Sequence, residues 1–217
     1  QQQSPTKLTC TGSGEERLEW MYYLASHLNG ASTLDEIYHV ALQGIQYTFK
    51  TDRAAILMFD DRGVPRYQAS MGISEAYKQA VENYCASLSE IPQTELIIVS
   101  DAAQQPGAEL LDIMRKAEGI QAAASFPMTY QGCQLGKIAV YYDAPHQFSD
   151  EEKRLVQTIS TYTSVAITRK QAEIDLQESQ RFVASIADSM ANILYVYDTI
   201  EQRNIYINQA CLRVLGY

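Results

Sequence analysis

A chain of 217 residues is long enough for one well-buried domain with extensions, or for two small domains. With 46% hydrophobic and 20% charged residues it has the composition of a folded globular protein, so disorder is not the default. A net charge of −9 with scattered lysines and arginines argues against a nucleic-acid surface. No apolar run approaches the ~18 residues that a membrane-spanning helix needs.

Residues 1–14 (QQQSPTKLTCTGSG) are polar and small, and are expected to form a flexible linker. A first helix is predicted from Glu15 to Leu28, with Leu18, Met21, Tyr22, Ala25 and Leu28 on one face and Asn29-Gly30 as its stop. Ser32 with Asp35, or Thr33 with Glu36, caps a second helix through about Phe49, whose buried face carries Leu34, Ile37, Val40, Ala41, Gly44 and Ile45. The period then changes. The run from Ala54 (AAILMFD), the turn residues Asp61-Arg62-Gly63 and the segment Pro65 to Ser70 read as a hairpin. Ser74 to Leu88 reads as a third helix, Ile97 to Val99 as a brief strand, and Pro106 to Glu118 as a helix with Pro in its first turn and Gly119 after its end. Ala122 to Tyr130 and Leu135 to Tyr142 form a second hairpin around Gln131-Gly132-Cys133-Gln134.

From Ser149 to about Met190 there is neither Gly nor Pro, and one unbroken helix of ~60 Å is expected. Ser149 and Glu152 form a capping box, with Asp150 and Glu151 adding negative charge at the positive end of the dipole. Two ordinary helices broken near Arg169 and Lys170 are the alternative. Apolar positions step by threes and fours through Leu155, Tyr162, Val165, Ala172, Leu176, Val183, Ile186 and Met190, and Thr158, Arg169 and Ser179 fill the gaps. That is the register of a coiled-coil seam with polar interruptions, and it predicts a homodimer through paired helices. A second stripe, Val156, Ile159, Thr163 and Ala166, accompanies it only in the first half. Beyond Met190, Asn192 to Asp198 and Asn204 to Asn208 read as paired strands and Gln209 to Leu215 as a helix. A fragment of about 25 residues is too small to fold alone. The chain opens on Gln and closes on Leu-Gly-Tyr, and we expect it to be a piece of a longer protein.

Cys10, Cys85, Cys133 and Cys211 lie far apart, outside any C-x-x-C or Cys/His cluster, so metal-ligand spacing is absent. Four cysteines are too few for a disulfide scaffold, and a cytoplasmic location without a secretory leader is expected. No nucleophile–base pair, Gly-rich phosphate loop or kinase signature is present, and the segment itself is not expected to be an enzyme. Asp60-Asp61 and Glu151-Glu152 fall in a turn and a helix cap, where carboxylates have structural roles. The helix start near Pro106 faces anions only as any helix N-terminus does. Tyrosine is the unusual component, at 15 against 5 Phe and 1 Trp. Its apolar ring and polar hydroxyl suit a pocket for a small polar-aromatic ligand. Phe59, Tyr67, Tyr77, Tyr84, Met114, Phe126, Met128, Tyr130 and Tyr141 are the candidates to line the space between the sheet and its two middle helices. Ordinary core and rim aromatics are the competing account of each.

The element order, with GISEAYKQAVENY at 72–84, IIVSDAA at 97–103 and AEGIQAAASFPMTYQGCQLGKIAVYYDAPHQFSDEE at 117–152, resembles a GAF domain of bacterial sensor kinases and cyclases. The resemblance covers about Leu34 to Arg169, and the Pro-Met and Gln-Gly-Cys-Gln-Leu-Gly spacing of the last hairpin is its most diagnostic part. It implies an α+β fold: a GAF-like antiparallel sheet with helices on both faces and a long C-terminal connector helix. The tail, SIADSMANILYVYDTIEQRNIYINQACLRVLGY, resembles the first strand pair and helix of a PAS domain. The implied organisation is a linker at 1–14, a GAF domain at 15–168, a signalling helix at 169–190 and an incomplete PAS domain at 191–217. This is similar to the input half of a cyanobacterial-like two-component histidine kinase, whose effector domains lie further C-terminal.

Departures from the family limit the ligand. Cys85 is followed by Ala86 and Cys133 by Gln134, not His, so no covalent bilin is expected. Phe148, Asp150 and Glu151 echo only the end of the cyclic-nucleotide signature, and its Asn-Lys is missing. His27, His39 and His146 are the only histidines, each read as satisfied or solvated and not as a haem ligand. The expectation is a sensory input module with a non-covalent small ligand in the GAF pocket, read out through a dimeric helix. A ligand-free dimerisation spacer and a redox sensor using Cys85 or Cys133 are the alternatives.

Overall fold

The computed structural model of the protein describes residues 14–88, 96–104, 109–190 and 192–215, and the side-chain surroundings of all of these except 14–18, 212 and 215. The chain divides into two compact units, Gln1–Thr168 and Arg169–Tyr217.

In the first unit, α1 (Gly14–Gly30) and α2 (Leu34–Phe49) precede a hairpin of β1 (Ala54–Phe59) and β2 (Pro65–Met71). Then come α3 (Glu75–Ser87), β3 (Ile97–Val99), α4 (Glu109–Glu118) and a second hairpin of β4 (Ala122–Tyr130) and β5 (Cys133–Tyr142). The five strands form one antiparallel sheet in the order β2-β1-β5-β4-β3. The Pro106 turn and most of the linker, with Cys10 and Leu18, fall outside the described residues or side chains; the described part of α4 starts at Glu109.

Local chemistry sets the element ends. Thr33 caps α2 by accepting from the Glu36 amide at 3.1 Å, and Ser74 caps α3 by accepting from the Tyr77 amide at 3.1 Å. Gln131 and Gly132, both at positive φ, make the two-residue turn of the β4–β5 hairpin, with Tyr130 opposite Cys133. Gly136 on β5 has a different reason: a Cβ there would lie 2.0 Å from the Leu57 carbonyl oxygen of β1. Only glycine lets the two central strands approach that closely.

Strand alternation splits the interior into two cores. On one face, Ala54, Ile56, Phe126, Met128, Ile138 and Val140 pack against Leu24 and Leu28 of α1, Ile37, Ala41 and Ile45 of α2, and Val156 and Ile159 of the long helix. On the other face, Ala55, Leu57, Ala139 and Tyr141 meet Tyr77, Val81 and Cys85 of α3 and Leu111 and Met114 of α4. The helices therefore cover both faces, as expected for the fold class. One packing expectation is corrected. Tyr22 is 78% exposed, because the buried stripe of α1 runs through Leu24 and Leu28, and Trp20 and Leu24 close over Gly44. In α2, Tyr38, Leu42 and Phe49 are buried as well, while Leu34 and Val40 are only half-buried.

Helix α5 (Asp150–Ser189) is a single helix of 40 residues, with no break at Arg169 or Lys170. Its capping box is formed in both directions. Ser149 Oγ accepts from the Glu152 amide at 3.2 Å, and Glu152 Oε2 accepts from the Ser149 amide at 2.7 Å. Val156, Ile159, Thr163 and Ala166 are buried in the first unit. Tyr162 and Val165 point outward on the same stretch, at 43% and 42% exposure.

In the second unit, β6 (Tyr195–Asp198) pairs with β7 (Arg203–Ile207), and α6 (Gln209–Leu215) follows. The fully buried Asn208 holds this hairpin to the end of α5. Its Oδ1 accepts from the Leu194 amide at 2.9 Å, and its Nδ2 donates to the Ala187 carbonyl at 2.7 Å. The second bond adds to the one that the Ala187 carbonyl accepts from the Met190 amide at 3.4 Å. No helix among the described residues is long and apolar enough to cross a membrane.

Candidate functional site

Between the sheet and the helices α3 and α4 lies a cavity of about 340 Å³. It exists because the strand positions beneath it carry short side chains, Ala123 and Ser125 on β4 and Ala139 on β5, where a tightly covered sheet would place larger ones. Leu57, Val81, Val99, Leu111 and Met114 make its walls apolar. Its polar groups are few: the tyrosine hydroxyls, Ser125, the Cys85 thiol and the Lys137 ammonium.

Of the residues expected to line this space, Tyr67, Tyr77, Tyr84, Met114 and Tyr141 do so. Phe126 and Met128 do not. They belong to the opposite core, because even-numbered β4 positions face α2 and α5 while Ala123 and Ser125 face the cavity. Phe59 lies beyond the cavity lining near the end of β1, its ring beneath Lys137 Nζ at 5.7 Å. Tyr130 stands at the hairpin tip, beside the turn residue Gln131. The dimer-seam residues are placed differently again. Leu155 is half-buried, whereas Tyr162, Val165, Arg169, Ala172, Leu176 and Val183 are exposed.

The tyrosines form a cluster. Tyr67 and Tyr141 bring their hydroxyls to 3.3 Å, and the ring of Tyr77 meets that of Tyr141 edge-on with centroids 5.8 Å apart. Burial pushes the Tyr141 hydroxyl up to about 12 and raises Tyr67 and Tyr77 as well, so all three stay neutral donors at neutral pH. A bulge in β2 directs Tyr67 inward: Ile56 pairs with Ala69 and Leu57 with Tyr67, which leaves Gln68 as the extra residue. Glu82 of α3 then fixes that segment. It accepts from the Tyr67 amide at 2.9 Å and from Arg66 Nη1 at 3.0 Å, and Arg66 in turn bridges to Asp60 at 3.0 Å.

Cys85 sits in the cavity wall, where burial pushes its thiol up while Lys137 opposes that shift. This environment keeps the thiol protonated, the reverse of an activated thiolate. Cys133 is exposed at the start of β5. None of the three histidines lines the cavity. His27 Nδ1 is 2.8 Å from the Tyr23 carbonyl and His39 Nε2 is 3.0 Å from Gln43. His146 stacks on Tyr142 with centroids 3.9 Å apart and lies 3.2 Å from Glu152. No group of three or more His, Cys, Asp or Glu side chains among the described residues is arranged to hold a metal ion.

Sequence reasoning missed Lys137. The signal was available, because Lys137, Ala139 and Tyr141 alternate on one face of a strand, so a tyrosine in the cavity implies the lysine there too.

Comparison with known proteins agrees with this geometry. The GAF domain family model matches residues 33–167. A domain described as belonging to a two-component sensor histidine kinase protein from Sinorhizobium meliloti 1021 is 32% identical, with a TM-score of 0.58, over 68% of this chain and 99% of that one. More distant structures share the fold. GAF3 from Slr1393 of Synechocystis sp. PCC6803 is 18% identical, with a TM-score of 0.53, over 67% of this chain and 98% of that one. The GAF domain of an Acinetobacter phosphoenolpyruvate-protein phosphotransferase is 16% identical, with a TM-score of 0.55, over 74% of this chain and 97% of that one. No curated protein matches. A five-stranded antiparallel sheet with helices on both faces, matched by the family model across residues 33–167, makes the chain a member of the GAF domain family.

Proposed function

We propose that the chain is a sensory input module of a signal-transduction protein of the two-component histidine-kinase kind. A small molecule held non-covalently in the GAF cavity biases the packing of paired α5 helices from two copies. The carrying observation is the cavity itself, mostly apolar with a few convergent hydroxyls and one amine, the arrangement of a small-molecule site. A spacer that had lost its ligand would have no reason to keep short side chains under two helices.

Strand β5 offers the physical route from cavity to helix. Ala139 and Tyr141 face the cavity, while their neighbours Ile138 and Val140 pack in the core that includes Val156 and Ile159 of α5. A ligand that shifts β5 therefore shifts the floor under α5. The outward stripe of α5 continues past the first unit, with Leu176 at 59% and Val183 at 62% exposure. Its steps of three and four, interrupted by Thr158, Arg169 and Ser179, suit a parallel helix pair poised between two packings. The segment after Ser189 has the strand, strand, helix order of a PAS domain start, and catalytic effector domains follow it in the same cytoplasmic protein.

Native mass spectrometry of the purified protein tests this directly. The expected spectrum shows twice the chain mass and a retained small molecule released on activation. A monomer at micromolar concentration, with no gain in thermal stability from any of a metabolite panel, would sink the proposal.

A further inference from the structure

Building on the proposed sensory role, we infer that the cavity is specific for a small, flat organic anion, such as a single-ring aromatic carboxylate, with its charged group seated at Lys137 Nζ.

Lys137 projects from the middle strand of the sheet into the cavity wall, with Leu57 opposite it on β1 and Pro127 on β4. Neither neighbour carries charge. Its ammonium lies over the Phe59 ring, and among the described residues no carboxylate comes within ion-pair distance of it. The acidic groups near this part of the fold are committed elsewhere. Asp60 and Glu82 both bind Arg66, while Glu118 faces Arg53 at 3.8 Å and accepts from the Ser74 amide at 2.7 Å. A half-buried cation beside an apolar space, with no counterion among the described residues, is unfavourable. Burial accordingly holds the Lys137 ammonium below its ordinary pKa, with only Cys85 acting the other way. An anionic ligand would supply the missing charge.

The rest of the cavity selects the body of that ligand. Leu57, Val81, Val99, Leu111 and Met114 offer apolar surface that a bare inorganic anion would leave unused. The volume of about 340 Å³ is near the lower end of the ~300–1,000 Å³ common to small-molecule sites, which favours a single ring over a larger group. Ser125 and the Tyr67–Tyr141 hydroxyl pair provide neutral hydrogen-bonding groups for a second polar substituent.

The probes are benzoate, 4-hydroxybenzoate and nicotinate, each paired with its neutral amide, measured by calorimetry and thermal shift on the wild-type chain, Lys137→Met and Lys137→Arg. At least one acid should bind wild type about tenfold or more tightly than its amide. Lys137→Met should abolish that preference by weakening the acid more than its amide, and Lys137→Arg should retain part of it. Equal binding of every acid and its amide to wild type overturns the inference and leaves the sensory cavity intact. An acid preference that survives in Lys137→Met also overturns it. Binding of no probe overturns this inference, while the small-molecule reading stands or falls by the mass spectrum and metabolite panel above. The comparison on the wild-type chain decides the matter even if Lys137→Met fails to fold.

Discussion

The hydroxyls of Tyr67 and Tyr141 meet at 3.3 Å although 74 positions separate them in sequence and strand β1 lies between their strands. Ala55, on the same face of β1, presents only a methyl group, so the two tyrosines can reach across it. Both side chains line the cavity.

This cluster makes stability sensitive to alkali. The folded pKa of Tyr141 is raised from the ordinary 10.0 to about 12, chiefly by burial, so its contribution is intact below pH 10.0 and lost as pH rises towards 12. Tyr67 and Tyr77 shift in the same direction, also through burial. Denaturant midpoints measured at rising pH should therefore fall above about pH 10, together with the appearance of phenolate absorbance. Tyr141→Phe should flatten that fall and, near neutral pH, cost on the order of 1 kcal/mol for the hydroxyl pair it breaks.

The capping box at the start of α5 is a local interaction with a local cost. Ser149→Ala removes the acceptor for the Glu152 amide and should destabilise the first unit by about 1 kcal/mol. Ser149→Asp should restore most of that. Urea unfolding followed by circular dichroism reads both variants, and an Ala variant as stable as wild type would show that the cap contributes nothing.

Gly136 is decided by contact and not by a turn. A Cβ at this position would lie 2.0 Å from the Leu57 carbonyl oxygen and 2.9 Å from Met58 Cα, so the β1–β5 pairing must open to admit it. Gly136→Ala should therefore cost more than the ~1 kcal/mol typical of point substitutions, seen as a lowered Tm or as insoluble protein. A Tm equal to wild type would contradict the close approach of the two strands.

Self-association should follow the outward stripe of α5. Leu176→Glu places a charge at a seam position that is 59% exposed in the single chain, and should weaken a dimer by about tenfold or more. Arg169→Leu should tighten it, because an apolar seam residue favours one fixed packing. Sedimentation equilibrium of both variants decides between them. Unchanged association in the two would place the dimer contact elsewhere.

Asn208 ties its hairpin to the helix end through its side chain alone. Asn208→Ala removes the acceptor of the Leu194 amide, at a cost of about 1–3 kcal/mol if that amide stays buried, and one of two donors to the Ala187 carbonyl. Hydrogen exchange should accelerate at residues 194–208 while the first unit keeps its protection. Acceleration across both units would mean that the whole chain unfolds as one.

Most elements were legible in the sequence because their causes are local. The change of hydrophobic period at Ala54, the capping box at Ser149, the Gln131-Gly132 turn and the absence of Gly or Pro from 149 to 190 each act within a few residues. Strand alternation was legible too, and applied to β4 it would have moved Phe126 and Met128 away from the cavity and applied to β5 it would have brought Lys137 in. Other features needed the folded chain. Both faces of this sheet are covered by apolar helices, so composition gives no preference for the face that holds the cavity. The space depends on short side chains from two strands lying under helices α3 and α4, a coincidence of distant segments. The bulge at Gln68, which turns Tyr67 inward, is a property of pairing with β1. The close approach at Gly136 is likewise a contact between strands almost 80 positions apart. Sequence alone therefore determined the family and the long helix, while tertiary packing decided which tyrosines share a pocket and which faces of the strands beneath it line that space.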